Sequence, residues 1–508
     1  MMDKLQSYLT NHGHGQAGGH MLNPPIKCAV LPAFILTETC DAADPLGRKR
    51  VIPAGAQRAE QTYHIREVAK AVDSYGGYPK WVKFNYNLLP LVLDSRGVLW
   101  DAPTIYILAR CQAHLNPDMT TFQSIAEDLS IFMRFLEEFE VDYLAFPRFK
   151  LQRPTYRFHG YLKNRILQRK TAPATAKRAM GSVIGFYRFL VAEGMLVPEN
   201  PLWEDRDQYL TFKDARGLSI SKRVNVTDVS IRAPKQLDPY DGCISDGERL
   251  RPLPQNEQEW LFEALAGLQN PEMLLVHLLM VTSGARIQTA LTLRVADVRN
   301  ELTDSAREFR CSAGPGTGID TKNNKQLTIH IPRWVYEMLR KYAFSDRAAA
   351  RRSRAKGGNN DDQYLFLTQQ GSPYYQQKAE SLRFDPDFDR RYRERGQALR
   401  MFIRDRVIPW VRQRYARDFH YKPHDLRATY GMNLTDVQLA AVERKEKTLS
   451  QARDFVRVRM GHECSATTDL YLNFRSNQAT VYAAVDGHEA YFRDLIEKAW
   501  RGALNAEA

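Results

Sequence analysis

Cysteine is scarce in this chain. There are six in 508 residues (Cys28, Cys40, Cys111, Cys243, Cys311 and Cys464), with no paired spacing. That excludes a disulfide scaffold and a cysteine-based zinc motif, and it points to a reducing cytosol. Long apolar runs are missing as well: no stretch of about 18 apolar residues is present to span a bilayer. The first residues lack the charged start and apolar core of a secretory signal. There is neither a Gly-Lys-Ser/Thr loop to cradle phosphates nor a cluster of acidic metal ligands. The composition that remains is 44% hydrophobic, 26% charged and 11% aromatic, which rules out disordered and collagen-like classes. The length suits roughly two to four domains. A net charge of +13 with pI near 9.3 calls for a polyanionic partner, most simply nucleic acid.

Along the chain, residues 1–25 mix Gly13, Gly15, Gly18 and Gly19 with His12, His14 and His20, the composition of a flexible leader. Short apolar runs such as Cys28–Leu36 and Leu88–Leu93 alternate with Pro and Gly, so strands and turns are expected up to about 115. Residues 1–115 therefore read as an accessory domain of unknown role. From 117 the pattern becomes helical. Phe122, Ile125, Leu129, Phe132, Met133 and Leu136 mark one apolar face, with Thr120 or Thr121 as N-cap. Further helices are expected over 156–169 and from Ala174 to Gly194. Arg157, Lys163, Arg165, Arg169, Lys170, Lys177 and Arg178 surround them, a basic side able to hold a DNA backbone. Residues 206–250 read as a linker with some strand, and 251–508 as one mixed domain. The basic run 346–357 is expected to be a mobile loop able to touch phosphate.

Four separated pieces of the last half carry polar groups suited to a phosphate site. In Thr282-Ser283-Gly284-Ala285-Arg286 an apolar helix breaks and another starts, leaving Arg286 among apolar residues. An arginine so placed needs an anion, supplied by the protein or by a ligand. Asn323-Asn324 joins two strand-like runs, Ile319-Asp320-Thr321 and Leu327–Pro332, into a hairpin with Lys322 and Lys325 near its tip. Pro423-His424-Asp425-Leu426-Arg427 starts a helix with His424 and Arg427 three apart on one face. Gly461-His462 is followed nine residues after the histidine by Tyr471, on a helix opened by Ser465, Thr467 or Thr468, its hydroxyl expected free in a cleft.

In this order and at these separations, Arg286, Lys322, His424, Arg427, His462 and Tyr471 resemble the motif set of the tyrosine recombinases, the phage-integrase family. Segment 117–195 resembles that family's helical core-binding domain, and the likeness covers about 117–500. Ala285 and Gln288-Thr289 depart from the family's usual residues, and 344–420 is longer and more basic than in compact members. The resemblance implies a multidomain, mainly α protein with small β-sheets: an extra N-terminal domain (1–115), a helical core-binding domain (116–205), a linker (206–250) and an α+β catalytic domain (251–508).

It also implies a site-specific recombinase that integrates or excises a mobile element through a 3′-phosphotyrosine ester, using no metal, ATP or other cofactor. Tyr471 would attack the phosphodiester and His424 would take its proton. Arg286, Arg427 and His462 would hold the charged oxygens, and Lys322, with Lys325 as the fallback, would protonate the leaving oxygen. Partners would be double-stranded DNA, further copies of the chain as a tetramer, and accessory proteins; the location would be cytoplasmic, on the nucleoid. A C-terminal helix starting near His488, with Tyr491, Phe492, Leu495, Ile496 and Trp500 on one face, would dock on a neighbouring subunit. Type IB topoisomerases and telomere resolvases share this chemistry, and a catalytically silent DNA-binding architectural protein is the alternative from another class.

Overall fold

The computed structural model describes residues 28–37, 57–58, 64–65, 83–114, 117–213, 219–233, 240–382 and 392–506. Within them the chain is mainly helical, with small antiparallel sheets of two strands each. It divides into two compact units. One comprises Met1–Asp214, Ser219–Lys235 and Lys378–Arg393; the other comprises Ala215–Leu218, Gln236–Gln377 and Glu394–Ala508. The Gly- and His-rich leader lies outside the described residues.

The first unit opens on β1 (Cys28–Leu31), β2 (Ile35–Thr37), β3 (Gln57–Arg58), β4 (His64–Ile65), β5 (Lys83–Asn85) and β6 (Leu89–Val92), paired antiparallel as β1 with β6, β2 with β5 and β3 with β4. Helices α1 (Asp101–Gln112), α2 (Met119–Glu138), α3 (Pro154–Leu167) and α4 (Pro173–Ala192) follow. Proline starts α3 and α4, where its missing N–H is no loss. The cap of α2 is Asp118, which accepts the Thr120 N–H at 3.1 Å, instead of the expected Thr120 or Thr121. The apolar face of α2 is buried as its spacing requires, in a core rich in rings such as Trp100, Phe132, Phe158, Phe186 and Tyr187.

Two expected boundaries fail here for the same reason. Tyr86, Leu89, Val92, Tyr106 and Ile107 belong to the core that also holds Phe122 and Phe186, so 86–112 is no separate accessory domain. Its short apolar strands and helix are too small to bury themselves and are covered by α2 and α4. Nor is 206–250 a linker. Strands β7 (Asp205–Lys213) and β8 (Ser219–Thr227) pair along nine residues each, and Val229 and Ile231 enter the same core. Of the basic residues around these helices, Lys163, Arg169, Lys170 and Lys177 are exposed. Arg178 is taken by the buried carboxylate of Asp128 at 3.0 Å, which Ser182 also serves.

The second unit runs β9 (Ile244–Ser245), β10 (Arg249–Leu250), α5 (Gln255–Gly267), α6 (Pro271–Ser283), α7 (Ile287–Leu291), β11 (Glu308–Ala313), β12 (Leu327–Pro332), α8 (Arg333–Ala343), α9 (Asp346–Arg354), α10 (Gln397–Phe402), α11 (Ile408–Arg414), α12 (Asp425–Glu443), α13 (Leu449–Met460) and α14 (Ser465–Ala506). Helix α6 is apolar on most faces and lies in the core with Met273, Val276, Leu279 and Met280 buried. The expected hairpin exists, but its strands are β11 and β12, with Cys311 opposite Ile329 and Ala313 opposite Leu327. Ile319-Asp320-Thr321 belongs to the connection between them, where Gly314 lets the chain turn: a side chain there would meet the Lys325 carbonyl. Asn323 and Asn324 adopt left-handed backbone, as their short polar side chains allow.

The run 346–357 is mostly helix α9, not a mobile loop. Two of its arginines are turned to the protein: Arg347 and Arg351 both bind Glu272, which is fully buried, at 2.7 and 3.2 Å, and Arg351 also donates to the Leu367 carbonyl, while Arg354 and Lys356 are exposed. The expected helix starting near His488 is the second half of α14, which runs unbroken from Ser465. Tyr491, Phe492, Leu495 and Ile496 on it are exposed; the Trp500 side chain lies outside the described residues.

Two outcomes follow from the buried polar groups of α6. Glu272→Ala leaves Arg351 buried without its charge partner and should cost about 3–5 kcal/mol, read as a lower urea midpoint; an unchanged midpoint would contradict the pairing. His277 is fully buried, with Nδ1 donating to the Met273 carbonyl and Nε2 accepting from Tyr421. Burial pulls it from 6.5 down to about 4, so the unfolded chain binds the proton first. Stability should fall as pH drops from about 6.5 toward about 4, by up to about 3 kcal/mol. Urea unfolding at a series of pH values checks this, and the slope should be shallower in His277→Gln.

Candidate active site

Helix α6 ends at Gly284, whose left-handed backbone (φ 68°) is open to glycine, and where any β-carbon would strike the Tyr430 ring. Two residues later Arg286 caps α7. The break anticipated in the sequence therefore exists, and it projects Arg286 from between two helices. Helix α12 begins after His424, and its first turn carries Arg427 into the interior. Helix α13 ends at Gly461, again left-handed, so the chain reverses and presents His462. Helix α14 then starts at Ser465 and brings Tyr471 back over α12, where Gly431 leaves room for the ring: a β-carbon on Gly431 would lie 2.4 Å from it.

These elements converge on three residues missed in the sequence, the turn Asp246-Gly247-Glu248 between β9 and β10. Asp246 Oδ2 accepts from Arg427 Nε at 2.8 Å and lies 3.4 Å from both His462 Nε2 and the Tyr471 hydroxyl. Its Oδ1 is 3.6 Å from Arg286. Glu248 reaches His424 Nδ1 at 3.5 Å. A β-carbon on Gly247 would lie 2.9 Å from the Lys322 ammonium. All six residues expected from the sequence thus border one acidic turn. Lys325 is turned to Glu463 at 2.5 Å instead. The available signal was the pair Asp241-Gly242 and Asp246-Gly247 around short apolar positions, a hairpin signature.

Arg427 is the best satisfied of the group. Besides Asp246 it donates to the Gly284 carbonyl at 2.9 Å and the Met460 carbonyl at 2.5 Å. Other groups are left over: Arg286 Nε and His424 Nε2 are buried with no hydrogen-bond partner among the described residues. Such atoms are uncommon in folded proteins, and these two face the same acidic turn. The Tyr471 hydroxyl is not free in a cleft as expected; the side chain is fully buried in a cluster with Ile244, Leu250, Ala428 and Met460. No hydrogen bond joins His424 to Tyr471 among the described residues, and the tyrosine donates to Asp246 instead.

Burial alone would push the Asp246 carboxyl up, but the His462 hydrogen bond and the Arg427 charge outweigh it and hold the group well below the carboxylate range. Since a carboxylate only accepts, His462 Nε2 carries a proton and Nδ1 faces the Thr468 hydroxyl at 3.0 Å. Burial lowers both His462 and His424, in the second case helped by Arg286. Burial and the neighbouring Arg427 draw Arg286 down to about 10. Burial and then the Asp246 charge push Tyr471 far above 10. The arrangement concentrates positive charge and donors on one anion, beside a tyrosine whose ionisation is opposed by burial and then by that carboxylate. Among the described residues no group of three His, Cys, Asp or Glu side chains is gathered as a metal would need.

Arg427→Lys keeps the charge but cannot reach three acceptors that surround a planar fork. It should lower the stability of the second unit by about 1–3 kcal/mol for each buried carbonyl left unsatisfied. Denaturant unfolding checks this, and a change within about 0.5 kcal/mol, typical of a surface site, would contradict the role given to the guanidinium.

No family model matches the chain, and no curated protein matches it. Its backbone is similar to several solved structures at low sequence identity. The XerH site-specific recombinase bound to difH substrate, in a pre-cleavage complex, aligns at TM-score 0.41 and 14% identity over 74% of this chain and 83% of that one. The Tn1549 transposon integrase (residues 82–397) with circular intermediate DNA aligns at 0.40 and 13%, over 73% and 94%. A lambda integrase(75–356) dimer bound to a COC′ core site aligns at 0.39 and 13%, over 74% and 95%.

Proposed function

We propose that this protein is a site-specific DNA recombinase that cuts and rejoins DNA through a 3′-phosphotyrosine intermediate. The observation that carries the reading is the convergence of Arg286, Arg427, His462 and Tyr471 on a single anion, with Arg286 Nε and His424 Nε2 buried and unpartnered among the described residues. A phosphodiester offers the geometry and charge these groups require. In the reaction Tyr471 Oη bonds to phosphorus as its proton leaves to His424, reached once DNA is bound. Arg286, Arg427 and His462 hold the non-bridging oxygens as charge builds on them. The bond to the 5′ oxygen breaks, and Lys322 gives that oxygen a proton. Attack by a 5′-hydroxyl on the phosphotyrosine reverses the steps and joins a new strand, so the ester itself carries the bond energy.

The wider reading follows from charge and surface. A net charge of +13 and the exposed Lys163, Arg169, Lys170 and Lys177 favour binding through phosphate contacts, which weakens steeply with salt. The exposed Tyr491, Phe492, Leu495 and Ile496 of α14 suit docking on a second copy, and a tetramer on two duplexes is the assembly proposed. Integration or excision of a mobile element, in the cytoplasm, is the role we favour.

The test is an SDS-resistant adduct assay on nicked DNA from the ends of the gene's own genetic neighbourhood. Wild type should form an adduct and Tyr471→Phe none, while Arg286→Ala should slow it by about 10²–10³-fold. Tight DNA binding with no adduct from the wild type would replace this reading with that of a DNA-binding architectural protein.

A further inference from the structure

We propose that the Asp246-Gly247-Glu248 turn is an internal plug: it holds a carboxylate where a DNA phosphate must lie and keeps the site closed until DNA displaces it. The inference rests on the function proposed above and adds a control to it. Asp246 takes the Nε–H of Arg427, contacts Arg286, and stands at 3.4 Å from both His462 Nε2 and the Tyr471 hydroxyl. Those are the groups assigned to the phosphate oxygens and to the attack on phosphorus. One anion fills that position at a time, because a carboxylate and a phosphodiester there would repel each other and compete for the same donors. The flanking residues close the rest of the site, Glu248 on His424 and Gly247 against Lys322.

The build of the turn suits a part that moves. Strands β9 and β10 have two residues each and share only the pairs Ser245–Arg249 and Ile244–Leu250. Ser245, Gly247, Glu248 and Arg249 are exposed, and only the Asp246 side chain points inward. Gly247 is left-handed (φ 74°), so the reversal is tight and can swing without dragging a side chain through the core. Ile244 and Leu250 anchor its base in the cluster that holds Tyr471.

The discriminating experiment measures binding of inorganic phosphate to the full chain by calorimetry, comparing wild type, Asp246→Asn, Glu248→Gln and Arg286→Ala. If the closed form dominates, apparent affinity is reduced by the fraction that is open. Asp246→Asn should therefore bind roughly tenfold tighter or better, Glu248→Gln should shift the same way by less, and Arg286→Ala should bind less than wild type. Weaker phosphate binding by Asp246→Asn would overturn the plug and make Asp246 a positioning residue, while leaving the phosphate site standing. Absence of phosphate binding in every variant would overturn the site reading and the plug with it. Should Asp246→Asn fail to fold, as a thermal melt would reveal, hydrogen exchange of the wild type decides. Amides 244–250 should exchange faster when a random-sequence duplex is added, and unchanged or slower exchange would contradict displacement.

Discussion

One buried guanidinium organises the second unit. Arg427 binds the carbonyl that ends α6, the carbonyl that ends α13 and the carboxylate of the β9–β10 turn. Two of these acceptors are at helix C-termini, where the last carbonyls lack partners and carry the negative end of the dipole. A cation fixed there satisfies two helix ends and one buried carboxylate at once. It also fixes where everything else lies: the break at Gly284 sets Arg286, the reversal at Gly461 sets His462, and the return of α14 over Gly431 sets Tyr471. The planar fork supplies directions as well as charge.

That arrangement has a consequence for chemistry. The groups that would grip a phosphate are held rigidly by the fold before any DNA arrives, which is the preorganisation that electrostatic stabilisation requires. Such a nest of donors is costly when empty, and Asp246 satisfies most of it. Burial, and after it the Asp246 charge, raise the Tyr471 hydroxyl above its ordinary range.

The positions that converge on the acidic turn stand out in the sequence, and the turn itself does not. Arg286, His424, Arg427, His462 and Tyr471 each lie beside a helix break or start marked by Gly, Pro, Ser or Thr, and those breaks bring them together. Asp246 was not legible: it lies among turn residues in a stretch with little apolar pattern, and its importance comes from contacts with residues about 40 to 225 positions away. Arg347 and Arg351 misled for the opposite reason. A basic run looks solvated until the buried Glu272, more than 70 residues earlier, is known to receive it. Helices α2 and α4 followed from their periodicity, whereas the domain boundaries did not, because short strands such as β6 reveal nothing locally about which helices will cover them.

The central claim is that Tyr471 bonds to the 3′ side of a DNA break. Mass spectrometry of a trypsin-digested protein–DNA adduct tests it most directly, since cleavage after Arg459 and Arg475 isolates Met460–Arg475 with Tyr471 as its one tyrosine. The account predicts a nucleotide 3′-phosphate attached to that peptide at Tyr471. Attachment at another residue, or through a 5′-phosphate, would contradict it.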